Sequence, residues 1–374
     1  MCIFDVLALY DNFVERGNNC SYELYPRIFD QEKILFGSTS TDECDVCLKY
    51  DQHLKDSKNT PEHESNMCKQ CQDAFKHKQK ASKAREKYQE DMAQSGSYSV
   101  DMQKVIILPK LTTKEHIFTS RLVCFNETFS AGTAGSNDFT VLWHEAMNGR
   151  KAGDVTSAFV KFFIASQEKN PVLWADNCFG QNKNWTLYTA FVLLVNTDWG
   201  PESITIKYLE SGHTFMRADS VHGVIGKKMK ATPEIVTFED LVQLISQASA
   251  RIKVLEMNIS DFYAFKAENR ARSSKFVKMP KLSEAVEVKF VRESRLMYMK
   301  RAHEHTEYEV IDFLRPKVAT NQLPEKLRDA RGLSSKKKAG IMKILGHVAP
   351  LKRKFYGDLA ENDNAQDLVS RFDL

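Results

Sequence analysis

The sequence has no apolar run long enough to cross a membrane. The longest candidates, Pro171–Trp174 and Phe191–Val195, are short and bounded by polar residues, whereas a spanning helix needs about 20 apolar residues. The amino-terminal residues also lack the basic segment and small-residue cleavage site of a secretory signal, and they favour a truncated product of a longer reading frame. We therefore expect an intracellular protein, nuclear or cytoplasmic, without a membrane partner.

A strong charge of one sign is also missing. The formal net charge is +4 over 374 residues, and the hydrophobic content of 42% excludes wholesale disorder. The basic residues are nevertheless unevenly distributed, and such patches permit a polyanion partner. Solvated lysine surfaces are an equally good interpretation of the four clusters, which lie at Lys76–Lys87, Lys227–Lys230, Lys336–Lys338 and Lys352–Lys354.

Half of the eight cysteines form two closely spaced pairs. Cys44 and Cys47 are separated by two residues, as are Cys68 and Cys71, and 20 residues lie between the pairs. In the reducing compartment that we expect, this spacing is typical of metal binding rather than of disulfides. Four thiolates would hold one Zn²⁺ tetrahedrally and leave no position for water, so the expected role is structural. Three histidines are alternatives for one of these ligands: His53, His63 and His77.

Residues 97–232 follow the most regular pattern of the chain. Three predicted strands are followed by a helix and then by two strand–helix units, and no internal repeats occur. Such an order predicts an α/β fold with a mixed sheet and helices on both faces. The predicted strands are Tyr98–Leu108, Phe118–Phe129, Phe139–Met147, Pro171–Ala175 and Ser203–Leu209, and the predicted helices are Asp154–Gln167, Asn182–Asn196 and Asp219–Met229.

The flanking patterns predict four further segments around this core. A strongly helix-forming composition over Ala74–Ala93 predicts a basic helix, whose lysines face either solvent or DNA phosphates. The oligomeric state is open, with a homo-oligomer among the alternatives. The segments are a helical region at 1–43, the four-cysteine region with its basic helix at 44–96, an α+β extension at 233–314 and a basic helical tail at 315–374.

Three carboxylates fall at the ends of predicted elements. Asp101 lies within the first strand, Asp176 follows a buried strand, and Asp219 opens the helix after the fifth strand. Because ligand crevices lie at the carboxyl ends of strands, we expect these residues to converge if the first and fourth strands are neighbours. Carboxylates and substrate phosphate oxygens suit Mg²⁺ or Mn²⁺, and two ions would serve an in-line phosphoryl transfer.

Other interpretations of these residues stay open. Asp219 is also a candidate helix cap, Asp176 a turn residue and Asp101 a solvent-facing residue. Glu210, at the end of the fifth strand, is the rival third carboxylate. Two histidines have candidate roles in orienting phosphate or water, in packing, or in a small zinc site with Asp219: His213 and His222.

The same residues carry a family resemblance. The element order and the carboxylate positions resemble the RNase H-like fold of DDE transposases and integrases. More closely, about residues 20–360 resemble an uncharacterised, transposon-derived family abundant in insects and other invertebrates, which also carries the upstream cysteine pairs. The motifs are Tyr98-Ser-Val-Asp101, Leu142-Trp-His-Glu145, the run from Trp174 through Asp176 to Asn184, the run from Gly212 to His222, and Lys352-Arg-Lys-Phe-Tyr-Gly357.

The resemblance implies a transposase-like ancestry. We therefore expect a metal-dependent polynucleotidyl transferase in which Asp101, Asp176 and Asp219 hold Mg²⁺, and water or a DNA 3′-hydroxyl attacks a phosphodiester. DNA is the expected partner through the basic clusters. The alternative is a zinc protein of the same origin that binds DNA or protein without catalysis.

Overall fold

The structure is a computed structural model, and it describes residues 10, 14, 19–31, 44–56, 68–112, 119–265 and 279–368. His63, one of the alternative zinc ligands, and most of the predicted helical region at 1–43 lie outside these residues. The described helices are α1 Leu24–Gln31, α2 Asp45–Asp56, α3 Lys69–Met92, α4 Ala152–Ser166, α5 Trp185–Val195, α6 Arg217–Ala231, α7 Phe238–Ser246, α8 Ser335–Ile344 and α9 Pro350–Asp358.

A ten-stranded mixed sheet forms the centre of the molecule. Its spatial order is β10-β9-β8-β6-β5-β1-β3-β4-β7, and β2 pairs with β3 beside this path. Most neighbouring strands are antiparallel, whereas β1–β5, β5–β6 and β4–β7 are parallel pairs. The strands are β1 Ser97–Met102, β2 Ile106–Leu108, β3 Leu122–Ala131, β4 Asp138–His144, β5 Val172–Ala175, β6 Ser203–Tyr208, β7 Ile252–Glu256, β8 Glu287–Val291, β9 Met297–Lys300 and β10 Glu309–Ile311.

The predicted α/β class and the mixed sheet are confirmed. The strands expected for the extension at 233–314 belong to the same sheet as the core, with β7 on one edge and β8–β10 on the other. The predicted first strand, Tyr98–Leu108, is divided into β1 and β2, because the register with β3 moves from Met102↔Glu127 to Ile106↔Cys124. The extra residue on the β1 side is a bulge that interrupts the strand.

One face of the sheet is covered by α4 and α5. Alternate residues of the strands point to this face, and they pack against aromatic side chains such as Phe159, Phe162 and Phe191, which are inaccessible to solvent. Helix α5 is apolar along almost its whole length, because it lies between the sheet and other buried side chains. Asn184 caps its amino end by accepting a hydrogen bond from the Leu187 backbone N–H at 2.9 Å.

The opposite face carries α6–α9 and, beside them, α3. Val221, Ile225 and Leu241 pack here with residues of β2, β3 and β4. The basic helix α3 is fastened to the sheet by the buried Asp91, whose Oδ2 accepts hydrogen bonds from Lys207 Nζ at 2.6 Å and Trp174 Nε1 at 3.0 Å. None of the described helices is long and apolar enough to cross a membrane.

Candidate functional site

The carboxyl ends of β1 and β5 bring two of the predicted carboxylates side by side. The strands are parallel neighbours, and their register pairs Val100 with Ala175. Asp101 and Asp176 are therefore the next residues of adjacent strands. They lie at the carboxyl ends of these central strands, where the ligand crevices of open α/β folds are found.

Asp176 begins a tightly bonded loop that leads into α5. Its Oδ1 atom accepts hydrogen bonds from the backbone N–H of Cys178 at 3.0 Å and from Asn182 Nδ2 at 2.8 Å. The carboxylate therefore does start a turn, as one interpretation of the sequence proposed. Its position beside Asp101 is held by this turn, so the two roles are compatible.

Helix α6 brings a third carboxylate to the same end of these strands. The backbone N–H of Ala218 donates to Ser99 Oγ on β1 at 2.9 Å, and Ser99 lies on the same face of β1 as Asp101. Asp219 is in the first turn of α6, where its Oδ2 atom accepts a hydrogen bond from the Met216 backbone N–H at 2.7 Å. Asp219 is therefore not the N-cap, which is Met216, but the third residue of the helix, and its bond to the N-cap backbone fixes the side chain at the helix start.

One group of possible metal ligands results from this docking. Single ligand atoms of Asp101, Asp219 and His222 all lie within 4.8 Å of one another. His222 follows Asp219 by one helical turn, and its Nδ1 atom is 3.7 Å from Asp101 Oδ2. The predicted zinc grouping of His213 with Asp219 and His222 differs from this arrangement, because Asp101 takes the place of His213.

The electrostatics of the group favour a bound cation. Burial, and then the charges of Asp176 and Asp219, raise the pKa of Asp101 to about 8. Burial lowers the pKa of His222 to about 4, so its imidazole is neutral at neutral pH and has a lone pair for a ligand. Like charges that repel one another when alone are stabilised together by a cation between them.

Glu127 is a fourth carboxylate, which the sequence-based prediction missed. It lies on β3, where its side chain is fully buried, and neither Oε1 nor Oε2 has a hydrogen-bond partner among the described residues. Burial, and then the charges of Asp101 and Asp176, raise its pKa well above the usual range. A buried carboxylate without a partner is costly, so it points to a ligand or a proton at this position.

A buried lysine stands on the other side of Asp176. Lys183 is 2% exposed, and its Nζ atom donates to Asn177 Oδ1 and lies 4.3 Å from the centre of the Tyr208 ring. Burial lowers its pKa to about 8, although the charges of Glu210 and Asp176 act in the opposite direction. Perturbed ionisable groups of this kind are concentrated at functional sites.

Lys183 also lines a cavity of about 440 Å³ between α3, the loop after β5 and the end of β6. Lys80 and Lys83 of α3 contribute positive charge to the cavity wall. The Phe179 ring, which is 53% exposed, stands at the same wall. The wall also contains Glu210, Glu284 and Glu304, so the cavity combines cationic and acidic groups with an aromatic surface next to the loop that carries Asp176.

The spacing of the four cysteines predicted a single site, but the structure places them in two separate groups. Cys44 and Cys47 lie with two histidines in one group, whereas Cys68 and Cys71 lie with His53 in another. The physical reason is that the fold places each pair against histidines of other segments, from α2 for Cys68 and Cys71 and from α3 and the loop before α6 for Cys44 and Cys47. Of the alternative ligands named above, His53 and His77 take part in these groups.

The first group joins α2 and α3 to the core. The Sγ atom of Cys44 lies 3.0 Å from His77 Nε2, and that of Cys47 lies 3.5 Å from His213 Nε2. The two Nε2 atoms are 3.1 Å apart. His213 therefore faces the cysteines of the amino-terminal region and not the acidic group.

Glu210, the rival third carboxylate, contacts this cysteine–histidine group. Glu210 Oε1 lies 3.1 Å from His77 Nδ1, so Glu210 supports the cysteine–histidine group. Asp219, and not Glu210, lies with Asp101 and His222 among the described residues.

The basic clusters are not equally available to a polyanion. Lys337 is buried, with its Nζ atom 2.5 Å from Glu145 Oε1 and 2.7 Å from Asp367 Oδ1. Lys352 bonds to both oxygens of Asp240. Exposed lysines lie on α3 and at the end of α6, at Lys76, Lys80, Lys83, Lys227, Lys228 and Lys230, and the other two clusters each retain one, Lys336 and Lys354.

Comparison with known proteins gives one match. Residues 158–307 match the model of a domain of unknown function (DUF7869). The match includes Asp176, Asp219, His222 and His213, and it begins after Asp101. No curated protein and no solved structure matches the chain.

Proposed function

We propose that this chain is a transposase-like polynucleotidyl transferase or nuclease that acts on DNA by metal-dependent phosphoryl transfer. The observation that carries the proposal is the grouping of Asp101, Asp219 and His222 within 4.8 Å. Asp176 is not part of this group but follows the end of the adjacent strand β5. These oxygen-rich ligands suit Mg²⁺ or Mn²⁺. When bound, such ions would neutralise charge that develops on a phosphodiester during in-line attack.

The strand order supports an RNase H-like core. Within the larger sheet, β4, β3 and β1 are antiparallel neighbours, and β1, β5 and β6 are parallel neighbours. This is the arrangement expected for three antiparallel strands followed by two crossovers. In it, the first and fourth strands of the predicted core are adjacent, as the proposed carboxylate site requires.

Glu127 strengthens the proposal because a fully buried carboxylate needs a compensating charge or a proton when the described residues offer it no hydrogen bond. Its pKa responds to both Asp101 and Asp176, so it lies within their electrostatic reach. A divalent cation at the site would lower the cost of keeping these carboxylates ionised. Glu127 shares the face of β3 that carries Phe125 and Phe129, whereas Asp101 points to the other face of the sheet, so Glu127 would act on the site through its charge and not as a ligand.

The surroundings suit a polynucleotide strand. Phe179 and Phe215 are 53% and 62% exposed, and they lie in the two loops that carry Asp176 and lead to Asp219. Exposed rings next to basic side chains are typical of surfaces on which bases stack while lysines contact phosphates. Lys80 and Lys83 provide such lysines at the neighbouring cavity.

The experiment is a cleavage and joining assay with the full chain. Labelled duplex and single-stranded DNA are incubated with Mg²⁺ or Mn²⁺, and nicked and joined products are separated on denaturing gels. Asp101→Asn should lower the rate at least 100-fold while DNA affinity stays within about twofold. Asp198→Asn is the matched control, because Asp198 is exposed in the turn after α5, before β6 begins.

A wild-type chain that neither nicks nor joins DNA with either ion overturns the enzymatic proposal. If this inactive chain still binds DNA, the alternative of a non-catalytic DNA-binding zinc protein is favoured. Equal activity of wild type and Asp101→Asn would place any observed chemistry outside this site.

A further inference from the structure

The group of Cys44, Cys47, His77 and His213 has the dimensions of a tetrahedral metal centre. Metal–sulfur bonds of about 2.3 Å and metal–nitrogen bonds of about 2.0 Å place the donors of a tetrahedral zinc site roughly 3.3–3.8 Å apart. The donor–donor distances here are 3.0, 3.1 and 3.5 Å. Two of these distances are a few tenths of an ångström below that range, and all four donors lie within 4.8 Å of one another, so a small outward shift of the side chains would admit one ion.

The orientation of the imidazoles agrees with a shared cation. Both rings direct Nε2 into the group, and the two nitrogens are 3.1 Å apart. On the far side of the His77 ring, Glu210 Oε1 is 3.1 Å from Nδ1. A carboxylate at that nitrogen keeps its proton in place and leaves the Nε2 lone pair for a metal.

Gly212 supplies an independent observation at the same place. Its φ is +78°, and a Cβ atom there would lie 2.8 Å from both Cβ and Sγ of Cys44. The loop before α6 therefore touches the cysteine of the amino-terminal region so closely that only glycine fits. A four-cysteine centre formed within residues 44–71 would not need this contact.

The second cysteine pair has its own histidine. Cys68 Sγ is 3.4 Å from His53 Nε2, and Cys71 lies in the same group. His53 is on α2, whereas Cys71 is in the first turn of α3. Three such donors hold a metal ion with a fourth position left for water or another donor.

We propose that the two cysteine pairs bind two separate Zn²⁺ ions, and that the first ion fastens the amino-terminal region to the core. Its ligands come from α2, from α3 and from the loop that leads to α6: Cys44, Cys47, His77 and His213. The second ion is bound by His53, Cys68 and Cys71 and joins α2 to the start of α3. Thiolate and imidazole donors select zinc over the hard cations suited to the acidic group.

The first ion has a consequence for the acidic group. His213 lies between Glu210 and the start of α6, and α6 carries Asp219 and His222. A metal ion at His213 therefore restrains the loop that positions these two residues. Zinc binding at these two groups does not depend on whether the chain cleaves DNA.

The test is the zinc content of the full chain, measured by native mass spectrometry and by elemental analysis. We expect two ions per chain in the wild type. His213→Ala and Cys71→Ser should each contain one ion, and the double variant none. His347→Ala is the matched control, because His347 is an exposed histidine, and it should keep both ions.

A single four-cysteine centre predicts different numbers. The wild type would then contain one ion, His213→Ala would keep it, and Cys71→Ser would lose it. A wild type with a single ion, or a Cys71→Ser chain with none, overturns the proposal, whereas one ion in His213→Ala is expected under both arrangements. Co²⁺ substitution gives a second readout, because removing His213 should change the spectrum of the Cys44–Cys47 centre and leave the Cys68–Cys71 centre as it is.

Two further variants separate ligand loss from misfolding. His213→Cys retains a donor and should restore the first ion, giving two ions per chain again, whereas a merely structural defect would not be rescued. Gly212→Ala should lower the occupancy of the first centre only, because the added methyl group meets Cys44. If Gly212→Ala keeps two ions at wild-type affinity, the proposed contact between the loop and the cysteine is wrong.

Discussion

Asp101 Oδ2 and His222 Nδ1 lie 3.7 Å apart, which brings the end of β1 and the first turns of α6 to one point. Because burial keeps His222 neutral, with its pKa near 4, this contact is not a salt bridge at neutral pH. Burial and two carboxylates hold the pKa of Asp101 near 8. A neutral imidazole and a carboxyl group with a raised pKa attract each other only weakly at this distance. Both would be stabilised as ligands of a cation.

His222→Ala should therefore weaken divalent-ion binding at the acidic group. We expect the Mn²⁺ affinity to fall by about tenfold or more, measured by titration with electron paramagnetic resonance detection of free Mn²⁺. The exposed His305 provides the control variant His305→Ala, which should bind Mn²⁺ like the wild type. Unchanged affinity in His222→Ala would show that the imidazole is only a packing residue.

Glu127→Gln should stabilise the protein and weaken its metal site. In the folded chain the pKa of Glu127 lies well above the usual range, so its contribution to stability is lost as pH rises above the unfolded pKa of about 4.5. The variant should therefore gain about 1–3 kcal/mol in free energy of unfolding at pH 7, and little at pH 4. Urea unfolding without added Mg²⁺ or Mn²⁺ measures this difference.

The opposite result would identify a different role for Glu127. If Glu127→Gln is less stable than the wild type at pH 7, the carboxylate has a stabilising partner in solution. With Mn²⁺ added, we expect the order to reverse, because the ion then stabilises the wild type more than the variant.

Much of the fold could be predicted from the alternation of apolar residues. The element order from β1 to α6 is confirmed apart from the bulge that separates β1 from β2. Two local signals are found again in the structure: Asn184 caps the start of α5, and the apolar run Val172–Ala175 forms the strand β5. That β7 and β8–β10 extend the same sheet depends on pairing with strands that are distant in the sequence. Local patterns carry no information on such pairing.

The two sites differ in what the sequence could reveal. The thiolate pairs were visible from spacing, but their partners were not, since His213 is 166 residues from Cys47. Glu127 had a usable signal, because it interrupts the apolar series Val123, Phe125 and Phe129 on one face of β3. An acidic residue within a series that otherwise points into the core is a candidate functional residue.

Lys337 and Glu145 form a buried ion pair whose disruption should be costly. Replacing Lys337 with methionine leaves Glu145 buried, with Arg331 Nη1 still 3.6 Å from its Oε2 atom. We expect a loss of about 3–5 kcal/mol in free energy of unfolding, measured by urea denaturation. The exposed neighbour Lys336 supplies the control Lys336→Met, and adding Glu145→Gln to Lys337→Met should recover most of the loss.

His144 should make the protein sensitive to mild acid. Its ring is buried between Phe238 and Phe355, and burial lowers its pKa to about 3. Because the unfolded chain takes up a proton below pH 6.5 and the folded chain does not, stability falls as the pH drops from 6.5 towards 3. The loss from this residue is about 2 kcal/mol between pH 7 and pH 5.

The variant His144→Leu isolates this contribution. The difference in unfolding free energy between pH 7 and pH 5 should be smaller in the variant by about the same 2 kcal/mol. Thermal and urea unfolding at both pH values measure it. An unchanged difference would mean that His144 is protonated in the folded state or that the site opens before the ring is charged.

The lysines of α3 should contribute to DNA binding through phosphate contacts. Lys80 and Lys83 line the cavity beside Asp176 and are exposed. Replacing both with alanine should lower DNA affinity and reduce the slope of log affinity against log salt by about two for duplex DNA, because each phosphate contact contributes about 0.9. Fluorescence anisotropy at several salt concentrations measures both quantities.

The control for these lysines removes the same charge elsewhere. Lys169 and Lys317 are exposed, and Lys169 lies just before β5, at the sheet edge opposite the carboxylates. Lys169→Ala/Lys317→Ala should leave the salt slope within experimental error of the wild type. If both double variants lose affinity equally, DNA binding reflects overall charge, and the cavity beside Asp176 does not guide the strand to the carboxylates.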